Sequence, residues 1–498
     1  MKKILSVINT PRHSWDETVI RQAFNSDVKD RYSRIRDFES KRSPEETRFQ
    51  LRVNSDTKDG AVPYVALIAP DQDTSGPYGG MSFVLFPADE DGPALICMVI
   101  GTQSIAPDDM VLGKPGHARR CRAISRWLTS LPEGGFTWSK RDPVRTDLDM
   151  PKVVKSQLGR WDQSLKKYGA VLYACHAATG SDTDANHSAQ LAAVTAYLDL
   201  FMDERGIDRK QANEKEAQAV RLQWLAHLLP SISQQDTAQL LSHRRFVVLE
   251  GPPGTGKTHL AKRLLAEQYQ GHGHLIQFHA GTTYESFIGG LRPVKDGGSQ
   301  GFHFSAVGGQ LMRAVQQAAA DAPKPYLLVI DEINRADLAK VLGEAMHLFE
   351  PSDPTRQVEL DYEFQEIGGR TLQLPPNLHV LGTMNTADRS IAVLDVAVRR
   401  RFAFSPVWPS LQVLSGDQQS CTSMREKFAQ LLDLFVSHAG DDAFNLLPGH
   451  AYFMEADEAK VKTKLQTELK PLLLEYLAQG HVSGFGDEIH AFIDSLDA

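Results

Sequence analysis

Eight residues, Gly251-Pro252-Pro253-Gly254-Thr255-Gly256-Lys257-Thr258, carry the spacing G-x-x-x-x-G-K-[ST] directly after the apolar run Phe246-Val247-Val248-Leu249. Each part of that octapeptide has chemistry to do. Glycines let backbone N–H groups close around phosphate oxygens, a lysine reaches the β- and γ-phosphates, and a threonine hydroxyl is a ligand for Mg²⁺. Leu260, Ala261, Leu264 and Leu265 follow at helical spacing, so the loop stands between a strand and a helix. A plain glycine-proline turn has no need of the Lys-Thr pair. The octapeptide reads as a nucleotide-binding loop.

A second apolar run, Tyr326-Leu327-Leu328-Val329-Ile330, ends in Asp331-Glu332. Continuous apolarity is what a buried parallel strand requires. A carboxylate at its end, Asp331, can hold the Mg²⁺ hydration shell, and Glu332 can orient and polarise an attacking water. A third run, Leu378 to Met384, ends in Asn385, whose amide can hold that water near the γ-phosphate. Arg399-Arg400-Arg401-Phe402 then closes a short helical stretch. Guanidinium groups stabilise charge on a transferring phosphoryl group, and one supplied by a neighbouring subunit acts as an arginine finger. A solvated helix end favoured by the helix dipole is the plainer alternative.

The order of these segments resembles the AAA+ ATPases, and their wording resembles the McrB family, the motor subunits of modification-dependent restriction systems. Val329-Ile330-Asp331-Glu332-Ile333-Asn334-Arg335-Ala336-Asp337 and Gly382-Thr383-Met384-Asn385-Thr386-Ala387-Asp388-Arg389-Ser390 carry the likeness. Gln277-Phe278-His279, Tyr284 to Gly290 and Gly449-His450-Ala451-Tyr452-Phe453 extend it over about residues 240–460. The resemblance implies that Asn385 is the sensor and that Asp388 and Arg389 belong to a Met-Asn-x-x-Asp-Arg motif at the nucleotide. It makes Arg400 and Arg401 the trans-acting arginines. It also implies Mg²⁺, ATP or GTP, a homo-oligomeric ring, commonly a hexamer, and a separate McrC-like nuclease partner. Gly449–Phe453 contains no arginine, so a lid arginine of the usual AAA+ sort is not evident there. Two alternatives stay open: a MoxR-like remodeller of a protein client, and a nucleotide-gated sensor or scaffold.

These segments need elements to position them, and 498 residues exceed what one core holds. We expect a multidomain chain. Residues 1–205 form a mixed α+β recognition or adaptor region and 206–240 a helical linker. Residues 241–410 form the AAA+ α/β domain on a parallel sheet, and 411–498 an α-helical lid. Within the first region Tyr64–Ile68, Met81–Phe86 and Ala94–Ile100 read as an antiparallel sheet, with Val171–Ala174 a further strand and Ala189–Met202 a helix. Glu285, Phe287 and the Gly/Asp-rich residues 296–301 read as a hairpin or loop insertion facing the pore of a ring, or as a plain surface loop.

Composition bounds the rest. Cys97, Cys121, Cys175 and Cys421 have no C-x-x-C spacing and read as reduced buried thiols. The apolar start breaks at Asn9-Thr10-Pro11, too early for a signal peptide, and no later run reaches a membrane span, so the expected location is cytoplasmic. Net charge is −8, yet Lys114 to Lys167 holds 13 basic residues against 5 acidic, together with Trp127, Trp138 and Trp161. That stretch suits a polyanion-binding face and base stacking, so DNA is an expected ligand of residues 1–205; tryptophans in a core and a solvated surface are the plainer readings. Asp147-Leu148-Asp149 with Lys152 only loosely approximates a nuclease core, which places any DNA cleavage on another subunit.

Overall fold

The computed structural model describes residues 1–33, 49–55, 61–69, 72, 76–295, 302–387, 396–415 and 419–497. Asp388, Arg389 and the stretch 296–301 therefore lie outside the described residues. The chain divides into two units, Met1–Leu228 with Asp433–Gly440 and Leu229–Leu432 with Asp441–Ala498.

The N-terminal unit is built on an antiparallel sheet of six strands: β1 (Gln50–Asn54), β2 (Tyr64–Ile68), β3 (Met81–Phe86), β4 (Leu95–Ile100), β5 (Phe136–Ser139) and β6 (Leu172–Ala177). Their order is β1-β2-β3-β4-β6-β5. Strands β3, β4 and β6 are buried at every position and are mostly apolar on both faces, with Ser82 and His176 as buried polar exceptions. Helices Pro115–Ser130 and Asp184–Asp203 pack on this sheet. The Thr183 hydroxyl caps the second helix by accepting from the Asn186 N–H at 3.2 Å.

Several sequence features resolve as parts of this core. Trp127 and Trp161 are only 5% and 2% exposed, and Trp138 packs half-buried against the same apolar cluster. The tryptophans are thus packing residues and not a stacking platform. Part of the basic surplus is also internal. The buried Arg119 guanidinium donates to the carbonyls of Phe435, Val436 and Ala439, and Lys140 Nζ donates to those of Arg145 and Ala170. Arg120 pairs with Glu204 at 2.8 Å. Asp147 and Asp149 are held in ion pairs with Arg145 and Lys155. All four cysteines are free and buried.

The second unit carries β7 (Phe246–Gly251), β8 (Gly273–Gln277), β9 (Gly289–Lys295), β10 (Phe302–Gly308), β11 (Tyr326–Asp331), β12 (Gln357–Phe364), β13 (Gly369–Gln373), β14 (Leu378–Asn385) and β15 (Ala403–Pro406). Five of them form a wholly parallel sheet in the order β15-β7-β14-β11-β8. Val248, Leu328 and Val380 on the central strands have no exposure, and truncating any one to alanine costs roughly 2–4 kcal/mol. Hairpins β9-β10 and β12-β13 are separate two-stranded ribbons. Phe287 is not presented by the first ribbon: it is 1% exposed and lies edge-on to Phe278 at 5.2 Å, whereas Glu285 is exposed. Helices Glu458–Lys464, Lys470–Ala478 and Gly486–Asp497 make up much of the C-terminal region. No described helix is long and apolar enough to cross a membrane.

Candidate active site

Strand β7 delivers the chain into the loop at Gly251, and the loop ends where helix Lys257–Arg263 begins. Gly254 and Gly256 have φ of 76° and 83°, a left-handed conformation that side chains with a Cβ adopt only under strain. The Thr255 hydroxyl donates to the Pro252 carbonyl at 3.0 Å. Lys257 is buried, and its Nζ donates to the carbonyls of Gly251 and Pro252 at 3.0 and 2.7 Å.

Parallel register brings the other segments to this loop. Asn385 at the end of β14 stands opposite Gly251, and Ile330 of β11 stands opposite Gly382. Thr383 and Asn385 are two residues apart on one strand, so both side chains fall on the same face. Asp331 Oδ1 accepts from the Thr258 hydroxyl at 2.8 Å and also from the Thr383 hydroxyl. The Thr383 oxygen in turn accepts the Glu332 N–H at 3.2 Å. Asn385 Nδ2 donates to Glu332 Oε1 at 2.9 Å, while Arg335 Nε lies 3.3 Å from Oε2. Glu332 has φ 55° and ψ 47°, a left-handed backbone that costs on the order of 1–3 kcal/mol and turns its side chain away from the strand direction. Two carboxylates, two hydroxyls and an amide thus converge beside the phosphate loop.

The donor set suits magnesium. The Thr258 hydroxyl and Asp331 carboxylate are hard oxygen donors, and Mg²⁺ takes few protein ligands, completing its octahedron with phosphate oxygens and water. No group of three or more His, Cys, Asp or Glu side chains able to hold a metal occurs among the described residues.

The arginines separate. In helix Val396–Arg401, Arg399 lies over the Phe404 ring at 5.0 Å, Arg400 is exposed, and Arg401 is buried with its Nη1 donating to the Ala397 carbonyl at 2.9 Å. Arg400 and Arg401 were expected to share one role; burial sets Arg401 apart, while Arg399 and Arg400 are both exposed. Burial raises the Glu250 carboxyl above its ordinary pKa, and nearby Arg399 opposes the rise.

The C-terminal region meets the loop directly. The Gly449 N–H donates to the Pro253 carbonyl at 2.9 Å and the Ala451 N–H to the Gly254 carbonyl at 3.0 Å. The buried His450 ring accepts the Ser410 N–H at Nδ1, 3.1 Å away, and burial pushes its pKa down to about 4, leaving it neutral. Sequence reasoning passed over Thr383 and Arg335 as site residues. The signal for Thr383 was its i, i+2 relation to Asn385.

A family model for the AAA domain, dynein-related subfamily, matches residues 246–402. A protein of Escherichia coli strain K12 described as the type IV methyl-directed restriction enzyme EcoKMcrB subunit is 28% identical over 333 residues, covering 62% of this chain and 71% of its own length. The type II restriction enzyme BsuMI component YdiS of Bacillus subtilis strain 168 is 28% identical over 200 residues, covering 33% of this chain and 57% of its own. A Lon protease of Methanosarcina barkeri is 22% identical over 316 residues, covering 62% of this chain and 34% of its own. The phosphate loop, parallel sheet and polar residues at its strand ends define an AAA+ P-loop domain. Within that class the chain is similar to McrB-type restriction subunits, at 28% identity over 62% of its length.

Proposed function

We propose that this chain is the ring-forming motor of a restriction complex, hydrolysing ATP or GTP with Mg²⁺ and acting with a separate, McrC-like nuclease subunit. The observation that carries the reading is the linked cluster Thr258–Asp331–Thr383 and Asn385–Glu332 beside the phosphate loop. Thr258 and Asp331 hold the metal, Glu332 polarises the attacking water, Asn385 orients Glu332, and Lys257 leaves its loop carbonyls for the phosphates. Exposed Arg400 completes the site of an adjacent subunit, so the ring, a hexamer in this reading, is the unit of activity. Asp388 and Arg389 are assigned to the nucleotide site by family likeness alone.

Residues 1–205 are the target-recognition region in this reading, with modified DNA as the ligand. Support comes from a cavity of about 420 Å³ lined by Tyr64, Tyr78, Phe86, Lys167 and Tyr168, within a unit whose tryptophans are occupied in the core. The Phe86 and Tyr168 rings stack at 5.4 Å and Tyr64 meets Tyr168 edge-on at 6.1 Å, walls that suit a planar base. A remodeller of protein clients is the second reading. It is favoured by hairpin β9-β10, where Leu291 and Phe304 are 48% and 66% exposed.

Light scattering and phosphate release on the purified chain test the proposal. A triphosphate is expected to raise the mass to that of a ring, and modified duplex DNA to bind with strong salt dependence. A strict monomer with both nucleotides overturns the ring. Absence of DNA binding at low salt transfers support to the remodeller.

A further inference from the structure

Segment Gly449–Phe453 crosses the phosphate loop and is held at both ends. Its backbone donates twice to the loop, and at the far end the Phe453 ring is buried edge-on to Phe428 at 5.0 Å while the Phe453 carbonyl accepts the Ser420 hydroxyl at 2.9 Å. The approach is too close for side chains: a Cβ on Gly254 would stand 2.8 Å from the Tyr452 ring. Between these anchors His450 is fixed in one orientation. Because Nδ1 accepts the Ser410 N–H, the proton of the neutral ring sits on Nε2. That nitrogen faces the turn into helix Lys257–Arg263, 3.6 Å from where a Cβ on Gly256 would stand, and it has no hydrogen-bond partner among the described residues.

A fixed N–H donor with no partner, aimed at the turn whose backbone amides receive phosphates, is an unfilled position in the site. We infer that His450 is a nucleotide-binding residue, donating its Nε2–H to an oxygen of the bound nucleotide beside Gly256–Lys257. The segment thereby adds a third wall to a site otherwise made by the loop and the strand ends, and holds the C-terminal region against the nucleotide. This rests on the reading of Gly251–Thr258 as the nucleotide loop.

The test uses the full chain with Mg²⁺ and ATP or GTP. His450→Asn keeps an oxygen for the Ser410 N–H but is too short to place a donor near Gly256, whereas His450→Gln reaches that position with an amide N–H. Binding is expected to weaken about tenfold in His450→Asn and to stay within about threefold of wild type in His450→Gln. Tripolyphosphate separates the acceptors: an equal loss for it places the contact on a phosphate oxygen, and no loss places it on the sugar. Unchanged nucleotide affinity in His450→Asn, at an unchanged melting temperature, overturns the inference. Should the variants melt too early to measure, peptide-resolved hydrogen exchange at the imidazole C2 position of the wild-type chain decides. Nucleotide must slow exchange severalfold in the peptide containing His450, and an unchanged rate refutes the contact. Failure of the wild-type chain to bind either nucleotide would count against the loop reading instead.

Discussion

Replacing Gly449 with alanine asks whether the C-terminal segment and the phosphate loop are one packed piece. The backbone there, φ −69° and ψ 164°, is open to any residue. In an unconstrained loop such a change would stabilise by about 0.4–1 kcal/mol, because alanine has less freedom to lose on folding. The surroundings reverse that sign. The added Cβ would stand 2.1 Å from the Gly254 carbonyl carbon, 2.2 Å from its oxygen and 2.5 Å from the Thr255 nitrogen, all backbone atoms that cannot rotate away. The segment must withdraw, losing two hydrogen bonds of about 1 kcal/mol each and adding roughly 1–3 kcal/mol of overpacking strain. The net loss is about 2–4 kcal/mol, or roughly 5–15 °C in the melting temperature of a unit of this size. Thermal unfolding of the nucleotide-free chain measures it. Gly484→Ala is the control, since nothing lies within 4 Å of its Cβ position. A Gly449→Ala chain that melts at or above the wild-type temperature would refute the packing argument.

Further outcomes follow from the site. Glu332→Gln keeps the shape and the Asn385 contact but removes the base, so phosphate release should fall 10²–10⁴-fold while nucleotide affinity holds; turnover within threefold of wild type excludes the assigned role. Thr383→Val removes the hydroxyl that joins Asp331 to the Glu332 N–H, leaving that N–H unpaired at a cost of about 1–3 kcal/mol, and turnover should drop at least tenfold without loss of the fold by circular dichroism. Arg400→Ala should lower turnover about 10³-fold with little change in melting temperature, and mixing it with Lys257→Ala chains should restore activity if the guanidinium acts across subunits. Arg401→Ala, by contrast, should chiefly lower the melting temperature. Burial holds His379 and His450 near a pKa of about 4, against an ordinary value near 6.5. The unfolded chain takes up these protons first, so their stabilisation is complete above pH 6.5 and drains as pH falls toward 4. Melting curves of His379→Asn should therefore decline less steeply over that interval than those of the wild-type chain.

The parallel sheet and its site were legible because buried parallel strands have a plain signature. Tyr326–Ile330 and Leu378–Met384 are apolar runs that stop at polar residues, and the loop spacing is dictated by phosphate geometry. Thr383 escaped notice because its role depends on which strand neighbours β14, and parallel order is set by crossovers rather than by local pattern. The arginine cluster reads as three equivalent charges in sequence; only the packing of a short helix separates exposed Arg400 from buried Arg401. In the N-terminal unit, half-buried β5 (Phe136–Ser139) alternates apolar and polar residues, but over only four positions that follow a glycine-rich turn, and it was not foreseen. The tryptophans there fall to the plainer reading, as core residues, since aromatic and basic residues in one stretch look alike in sequence whether they face solvent or the core.

The lysine of the phosphate loop carries a consequence for ligand choice. With Nζ bound to the Gly251 and Pro252 carbonyls, the cation is already solvated by its own backbone. A ligand gains from Lys257 only by offering oxygens that bind an ammonium group better than two amide carbonyls do. Anionic phosphate oxygens meet that condition, since charge-assisted hydrogen bonds are stronger than those to neutral carbonyls. In the proposed reading, nucleotide entry therefore begins with an exchange at Lys257, in which two loop carbonyls are given up for phosphate oxygens.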